Sequence, residues 1–226
     1  MNDPWYETNA YSSSATLQSK MNTISSAYSE LSKSRSEYVQ FYMKNHEQIP
    51  TWIMIKVVNF STFIDVLHNS KTNVTHAICK LYSMYNDNNL PNVKLLIGSL
   101  HWLRRVRNSC AHNERVYCIH QTQARNNSAS GRILDPYYTQ LPTSYSRCTE
   151  KNIFDILVYF KYFLPTEEFT PMIIELKNML IELQNTLQTN AFDNVRGQMG
   201  IKNLNVLDAL IALPKSKIQY HKFDTL

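Results

Sequence analysis

Glycine and proline are scarce in this chain: four glycines and eight prolines punctuate 226 residues, against a combined share of roughly 12% in average usage. Turn-rich β-sandwiches, Gly-x-Gly nucleotide loops and phosphate-binding P-loops all require glycines that are missing here. An all-α protein is the expectation, and the length suits one domain with a sizeable core.

Apolar spacing places the helices. Leu17, Met21, Ile24, Tyr28, Leu31, Tyr38 and Tyr42 form a heptad stripe broken at Arg35, which predicts one long amphipathic helix ended near Pro50. The stripe is expected to pack on the domain's own core, with an intermolecular coiled coil as the alternative. Thr51 is placed to cap a helix from Trp52 to about Leu67, and Asn73 one from Val74 to about Tyr85. Pro91 suits the first turn of a helix through Leu95, Leu96, Leu100, Leu103 and Val106 toward His112. The polar stretch 119–149 reads as a long loop. Beyond it come a helix from Asn152 to Phe163, a long helix capped by Thr170 with Pro171 at its first position and running to Leu187, and a short one from Asn205 to Leu213. Residues 1–14 read as a flexible N-terminal segment, 15–213 as a single helical domain, and 214–226 as a basic tail carrying Lys215, Lys217 and Lys222.

The cysteines, Cys79, Cys110, Cys118 and Cys148, include no Cys-x-x-Cys pair and lack the density of a disulfide scaffold. No apolar run reaches the length of a membrane span, and the first residues lack the charged and apolar regions of a signal peptide. A cytoplasmic protein with reduced thiols is expected. His112, Cys118 and His120 match no common zinc spacing, so neither a metal nor a cofactor is expected.

Charge is where the sequence becomes specific. The formal net charge is +5. Residues 99–134 hold six arginines (Arg104, Arg105, Arg107, Arg115, Arg125 and Arg132), no lysine and one acid, Glu114, which makes +5 in this window alone. The rest of the chain sums to zero. Arginine forks onto phosphate oxygens better than lysine does, so these residues are candidates for contact with a polyanion.

On a helical wheel the aliphatic stripe Leu96, Leu100, Leu103 and Cys110 encloses Arg107. A guanidinium within a core stripe is costly unless paired or facing a polar site, and Cys110 reads as a small buried hydrophobe. Asn108 and His112, four residues apart, share the neighbouring flank with Arg104 and Arg105. A phosphate clamp, an orienting amide and a group titrating near neutrality then lie within a turn and a half. His101 and His120 read as ordinary residues.

The segment Trp102-Leu103-Arg104-Arg105-Val106-Arg107-Asn108-Ser109-Cys110-Ala111-His112-Asn113-Glu114-Arg115 resembles the signature of abortive-infection (Abi) proteins of the HEPN superfamily, Leu-Arg-x-Leu-Arg-Asn-x-Cys-Ala-His-x-x-Arg. Arg35-Ser36-Glu37-Tyr38-Val39, Ile49-Pro50-Thr51-Trp52, Val58-Asn59-Phe60-Ser61 and Met199-Gly200-Ile201 are similar to other recurrent patches of that family, in the same order. The sequence departs from the pattern at Asn113, where a second His is usual, and at Val116-Tyr117, where the pattern has Leu-Trp. The resemblance implies a HEPN-like helical bundle and a metal-independent endoribonuclease that leaves a 2′,3′-cyclic phosphate. Arg107 would neutralise the scissile phosphate, His112 would transfer protons and Asn108 would orient the phosphate or His112. It also implies a homodimer with both motifs in one cleft, and a toxin restrained by an RNA or protein antitoxin. Two alternatives stay open: a catalytically inactive HEPN module that binds RNA or a protein partner, and a helical scaffold assembled through the Leu17–Tyr42 stripe.

Overall fold

The computed structural model describes residues 5–86, 88–122 and 150–213. Ten α-helices account for almost all regular structure among them, so the fold is all-α, as the glycine scarcity predicts. The residues group into two units, 1–78 and 79–226.

In the first unit the single long helix expected from the heptad stripe is two: α1 (Leu17–Lys33) and α2 (Glu37–Asn45), separated by extended backbone at Ser34 and Ser36. The break lies where Arg35 interrupts the stripe. The buried face of α1 is Thr23, Ala27 and Leu31, while Leu17, Met21 and Tyr28 of the proposed stripe are exposed. Thr23 belongs to this face because its Oγ1 accepts from Asn69 Nδ2 at 2.9 Å. A buried polar group is tolerated once its hydrogen bond is made.

The helix expected from Trp52 to Leu67 also divides, into α3 (Thr51–Val57) and α4 (Phe60–Asn69). Asn59 causes the division by capping α4: its Oδ1 accepts from Thr62 N at 3.0 Å. Glu30 of α1 binds the same helix start, accepting from the backbone N–H of Asn59, from Asn59 Nδ2 at 2.5 Å and from Thr62 Oγ1 at 2.6 Å. An anion at a helix N-terminus satisfies orphan donors and complements the helix dipole. Thr51 is the first helical residue of α3 rather than its cap; Pro50 holds the cap position.

The lead-in expected over residues 1–14 carries core aromatics from Trp5 onward. Trp5 is buried with Ala27, Leu31, Val39, Ile49, Ile53 and Met54. Its indole N–H donates to Ile49 O at 2.7 Å, and the buried Tyr11 hydroxyl donates to Trp5 O at 2.6 Å. Burial pushes the Tyr11 phenol up to about 12.

The unit boundary falls within α5 (Thr72–Leu81), which starts one residue before the expected cap Asn73 and ends before Tyr85. In the second unit, α6 (Val93–Ala111) is capped by Asn92, whose Oδ1 accepts from Leu95 N at 3.0 Å; Pro91 precedes the cap instead of opening the helix. A two-residue antiparallel pair, β1 (Gln121–Thr122) with β2 (Glu150–Lys151), brackets 123–149. Helix α7 (Ile153–Phe163) is capped by Asn152 and Asp155 in a capping box. It is apolar nearly all round and accordingly buried along its length.

Helix α8 runs Thr166–Thr186, with Pro165 at its N-cap, and encloses Pro171, against the expected cap at Thr170. Glu167 and Glu168 in its first turn favour the earlier start through the helix dipole. Helix α9 (Thr189–Gln198) was not anticipated, and α10 (Asn205–Ala212) stands where the sequence places the last helix. The buried Lys161 of α7 donates to Leu210 O at 2.5 Å and Ile211 O at 3.1 Å, satisfying carbonyls at the negative end of α10. Among the described residues no helix is long and apolar enough to cross a membrane.

Candidate functional site

The orientation of α6 sets the site. Its buried side is Leu95, Ser99, Trp102, Val106 and Ser109 together with Leu96 and Leu100, a centre roughly a quarter-turn from the aliphatic stripe read on the wheel. Trp102 fixes this choice: it is almost fully buried and its indole N–H donates to Asn152 O at 3.0 Å. Arg107 therefore lies in solvent, not in a core stripe, and Cys110 is exposed, not a buried hydrophobe. The cost argued from a buried guanidinium disappears with the rotation. Arg107 reaches sideways instead, its Nη1 donating to Oδ1 of Asn108 at 3.1 Å.

The end of α6 positions the histidine. His112 is the C-cap, with φ −92° and ψ 7°, and its N–H donates to Asn108 O at 3.0 Å. Asn113 follows in the left-handed region at φ 56°. Its N–H bonds Cys110 O at 3.1 Å and the Glu114 N–H bonds Ser109 O at 2.9 Å, the paired closures of a Schellman motif. Asparagine tolerates this conformation better than β-branched residues do. The chain reverses here, so His112 stands at the corner of the helix end.

A cavity of about 610 Å³ opens beside this helix. Gly98, His101, Trp102, Arg104, Arg105, Asn108 and Ser109 line it from α6, with His112 and Glu114 from the end of that helix and Lys151 from β2. Four of the predicted residues, Arg104, Arg105, Asn108 and His112, are thus brought together. Arg107 is not part of the lining and is tied to it through Asn108. Arg115 is exposed and also outside it. Arg125 and Arg132 lie outside the described residues.

Two lining residues escaped the sequence reading. His101 stands on the same helix face as Arg105, Asn108 and His112, at successive spacings of four, three and four, a signal present in the sequence. Lys151 comes from β2, donates to Gly98 O at 3.4 Å and stands over the Tyr159 ring at 5.6 Å. Only tertiary folding brings it to α6. The Arg105 guanidinium lies 5.5 Å from the Trp102 ring centroid, a cation–π contact that orients it along the cavity wall. The lining holds cationic and hydrogen-bonding groups with one acid, a composition suited to an anionic ligand.

The last patch of the sequence resemblance supports the same helix from behind. Gly200 has φ 78°, and a side chain there would collide with Asn152, whose atoms lie 2.1–2.3 Å from the position of a Cβ. The adjacent Met199 O accepts from Phe154 N at 2.9 Å. Asn152 in turn caps α7 and holds Trp102, so Met199-Gly200 buttresses the anchor that sets the rotation of α6.

The model of the Abi-like protein family matches residues 2–118, slightly more than half of the chain, and its match ends just beyond the motif helix. No match is found among curated proteins or among solved structures. By its sequence from α1 through the end of α6, the chain belongs to the Abi-like protein family, a family of the abortive-infection type.

Proposed function

We propose that the protein is a HEPN-type endoribonuclease of abortive-infection or toxin–antitoxin defence, working without a metal and acting on RNA through Arg107, Asn108 and His112. The observation that carries this reading is the arrangement at the end of α6, where Asn108 bonds Arg107 through its side chain and His112 through its backbone carbonyl. The three groups are linked through one residue, next to a cavity walled by Arg104 and Arg105.

In the proposed reaction a base takes the proton of a ribose 2′-hydroxyl, and its oxygen attacks the adjacent phosphorus. The bond to the 5′-oxygen breaks, that oxygen leaves with a proton from an acid, and a 2′,3′-cyclic phosphate remains. His112 supplies proton transfer. Arg107 commits one N–H to Asn108, and the rest of its donor fork serves the negative charge on the phosphoryl oxygens. His112 of one chain serves one half of the acid–base cycle, which favours a homodimer with two motifs in one cleft, where the two arginine windows would add to about +10 and draw RNA in. Restraint by an RNA or protein antitoxin completes the reading.

The test in cells is growth arrest on expression. The native sequence is expected to arrest growth and His112→Ala at equal abundance is expected not to. Equal arrest by both would remove His112 from the mechanism. An inactive RNA-binding module would instead give steeply salt-dependent binding without cutting.

A further inference from the structure

The α6 cavity extends well past the Arg107–Asn108–His112 group. His101 and His112 line it from one helix face, eleven residues apart, which is about 16 Å along a helix axis. That span is too long for the two histidines of one chain to act as acid and base across a single phosphate, since proton transfer needs hydrogen-bond reach at both oxygens. It suits a stretch of polyanion instead. Arg104 and Arg105 occupy the middle of the span, and Lys151, also in the lining, donates to the carbonyl of Gly98, three residues before His101.

We propose that His101 and Lys151, with Arg105, form a second phosphate subsite that takes the backbone of a single RNA strand one or more phosphates away from the bond to be cut. The inference rests on the ribonuclease reading and adds its substrate class: an oligonucleotide with several phosphates, not a dinucleoside monophosphate. Arg105, turned along the wall by Trp102, bridges the two ends. Lys151 and His101 are positioning residues that hold the strand in register with His112.

The test uses an eight-nucleotide 2′-O-methyl RNA, which binds without being cut because its nucleophile is blocked. Its dissociation constant is measured by fluorescence anisotropy across a salt series with the full chain and with His101→Ala and Lys151→Gln. Each substitution is expected to weaken binding about fivefold at moderate salt, and Lys151→Gln to lower the slope of log affinity against log salt by about one. A purely structural role for Lys151 would shift affinity without changing the slope, and His101→Ala, at an exposed position, provides the variant that leaves the fold intact. An unchanged slope in Lys151→Gln, unchanged affinity in His101→Ala, or no binding of the 2′-O-methyl strand by the native chain would overturn the subsite. Native binding with no cutting of ordinary RNA would instead overturn the ribonuclease reading and leave the subsite standing.

Discussion

The Arg107 guanidinium donates to the side-chain carbonyl of Asn108 at 3.1 Å, although neighbours in sequence stand about 100° apart on a helix and normally diverge. The bond directs the Asn108 oxygen toward Arg107 and leaves its NH₂ turned the other way, available as a donor to a phosphate oxygen. Asn108→Asp should therefore harm RNA cutting far more than its isosteric shape suggests. The carboxylate would hold Arg107 more tightly and repel the phosphate, with an expected loss of about 100-fold or more in kcat/KM. Its melting temperature should stay near the native value because the position is exposed. A variant that keeps native activity would place Asn108 outside the phosphate site.

The helix end makes a separate claim. Asn113 at φ 56° closes the Schellman motif that seats His112. Asn113→Gly is expected to be neutral or slightly stabilising, whereas Asn113→Val should cost about 1–2 kcal/mol by chemical denaturation and lower activity along with it. Equal stability of the two variants would show that this conformation does not govern the turn.

Two glycines three residues apart should respond with opposite sign. Gly200→Ala meets both a left-handed backbone and the Asn152 side chain, and is expected to destabilise by about 2 kcal/mol or more. Gly197 lies within α9 with nothing near its would-be Cβ, so Gly197→Ala should stabilise by about 0.5–1 kcal/mol. Thermal melts of the two variants check both. A neutral Gly200→Ala would mean that Asn152 is not held against this turn.

Tyr11 predicts a pH dependence. Its phenol is pushed up to about 12 by burial, above the ordinary value near 10, so the folded state favours the neutral form. The stability it contributes is fully present below about pH 10 and is lost as the pH rises toward 12. Tyr11→Phe removes the hydrogen bond to Trp5 O and should cost about 1 kcal/mol at neutral pH. It also removes this alkaline loss, so the gap between native and variant should narrow above pH 10 in denaturation curves. A gap that is constant with pH would contradict the raised phenol.

Helix class, helix starts at Asn152 and Asn205 and the grouping of Arg104, Arg105, Asn108 and His112 were legible in the sequence because they depend on local spacing and caps. Large aliphatic residues alone do not mark the buried face of α6. Its buried face is set by Trp102, whose indole seeks Asn152 O, and by the small Ser99 and Ser109 that allow close approach; none of these stands out in an apolar wheel. The same cause displaced the face of α1, where Thr23 and Ala27 are buried and Leu17 and Met21 are not. The divisions at Ser34–Ser36 and at Asn59 had visible signals, a polar gap and an Asn-x-x-Thr cap, outweighed by continuing apolar periodicity on either side. Lys151 was beyond reach because its meeting with Gly98 joins residues 53 positions apart.

The most direct measurement is the cutting of RNA by the purified chain in excess EDTA, with the product ends identified by mass spectrometry. The native protein is predicted to yield 2′,3′-cyclic phosphate ends, and His112→Ala, equally folded by circular dichroism, to cut at least about 100-fold more slowly. Cutting that persists undiminished in His112→Ala, or products with no cyclic phosphate, would contradict the account.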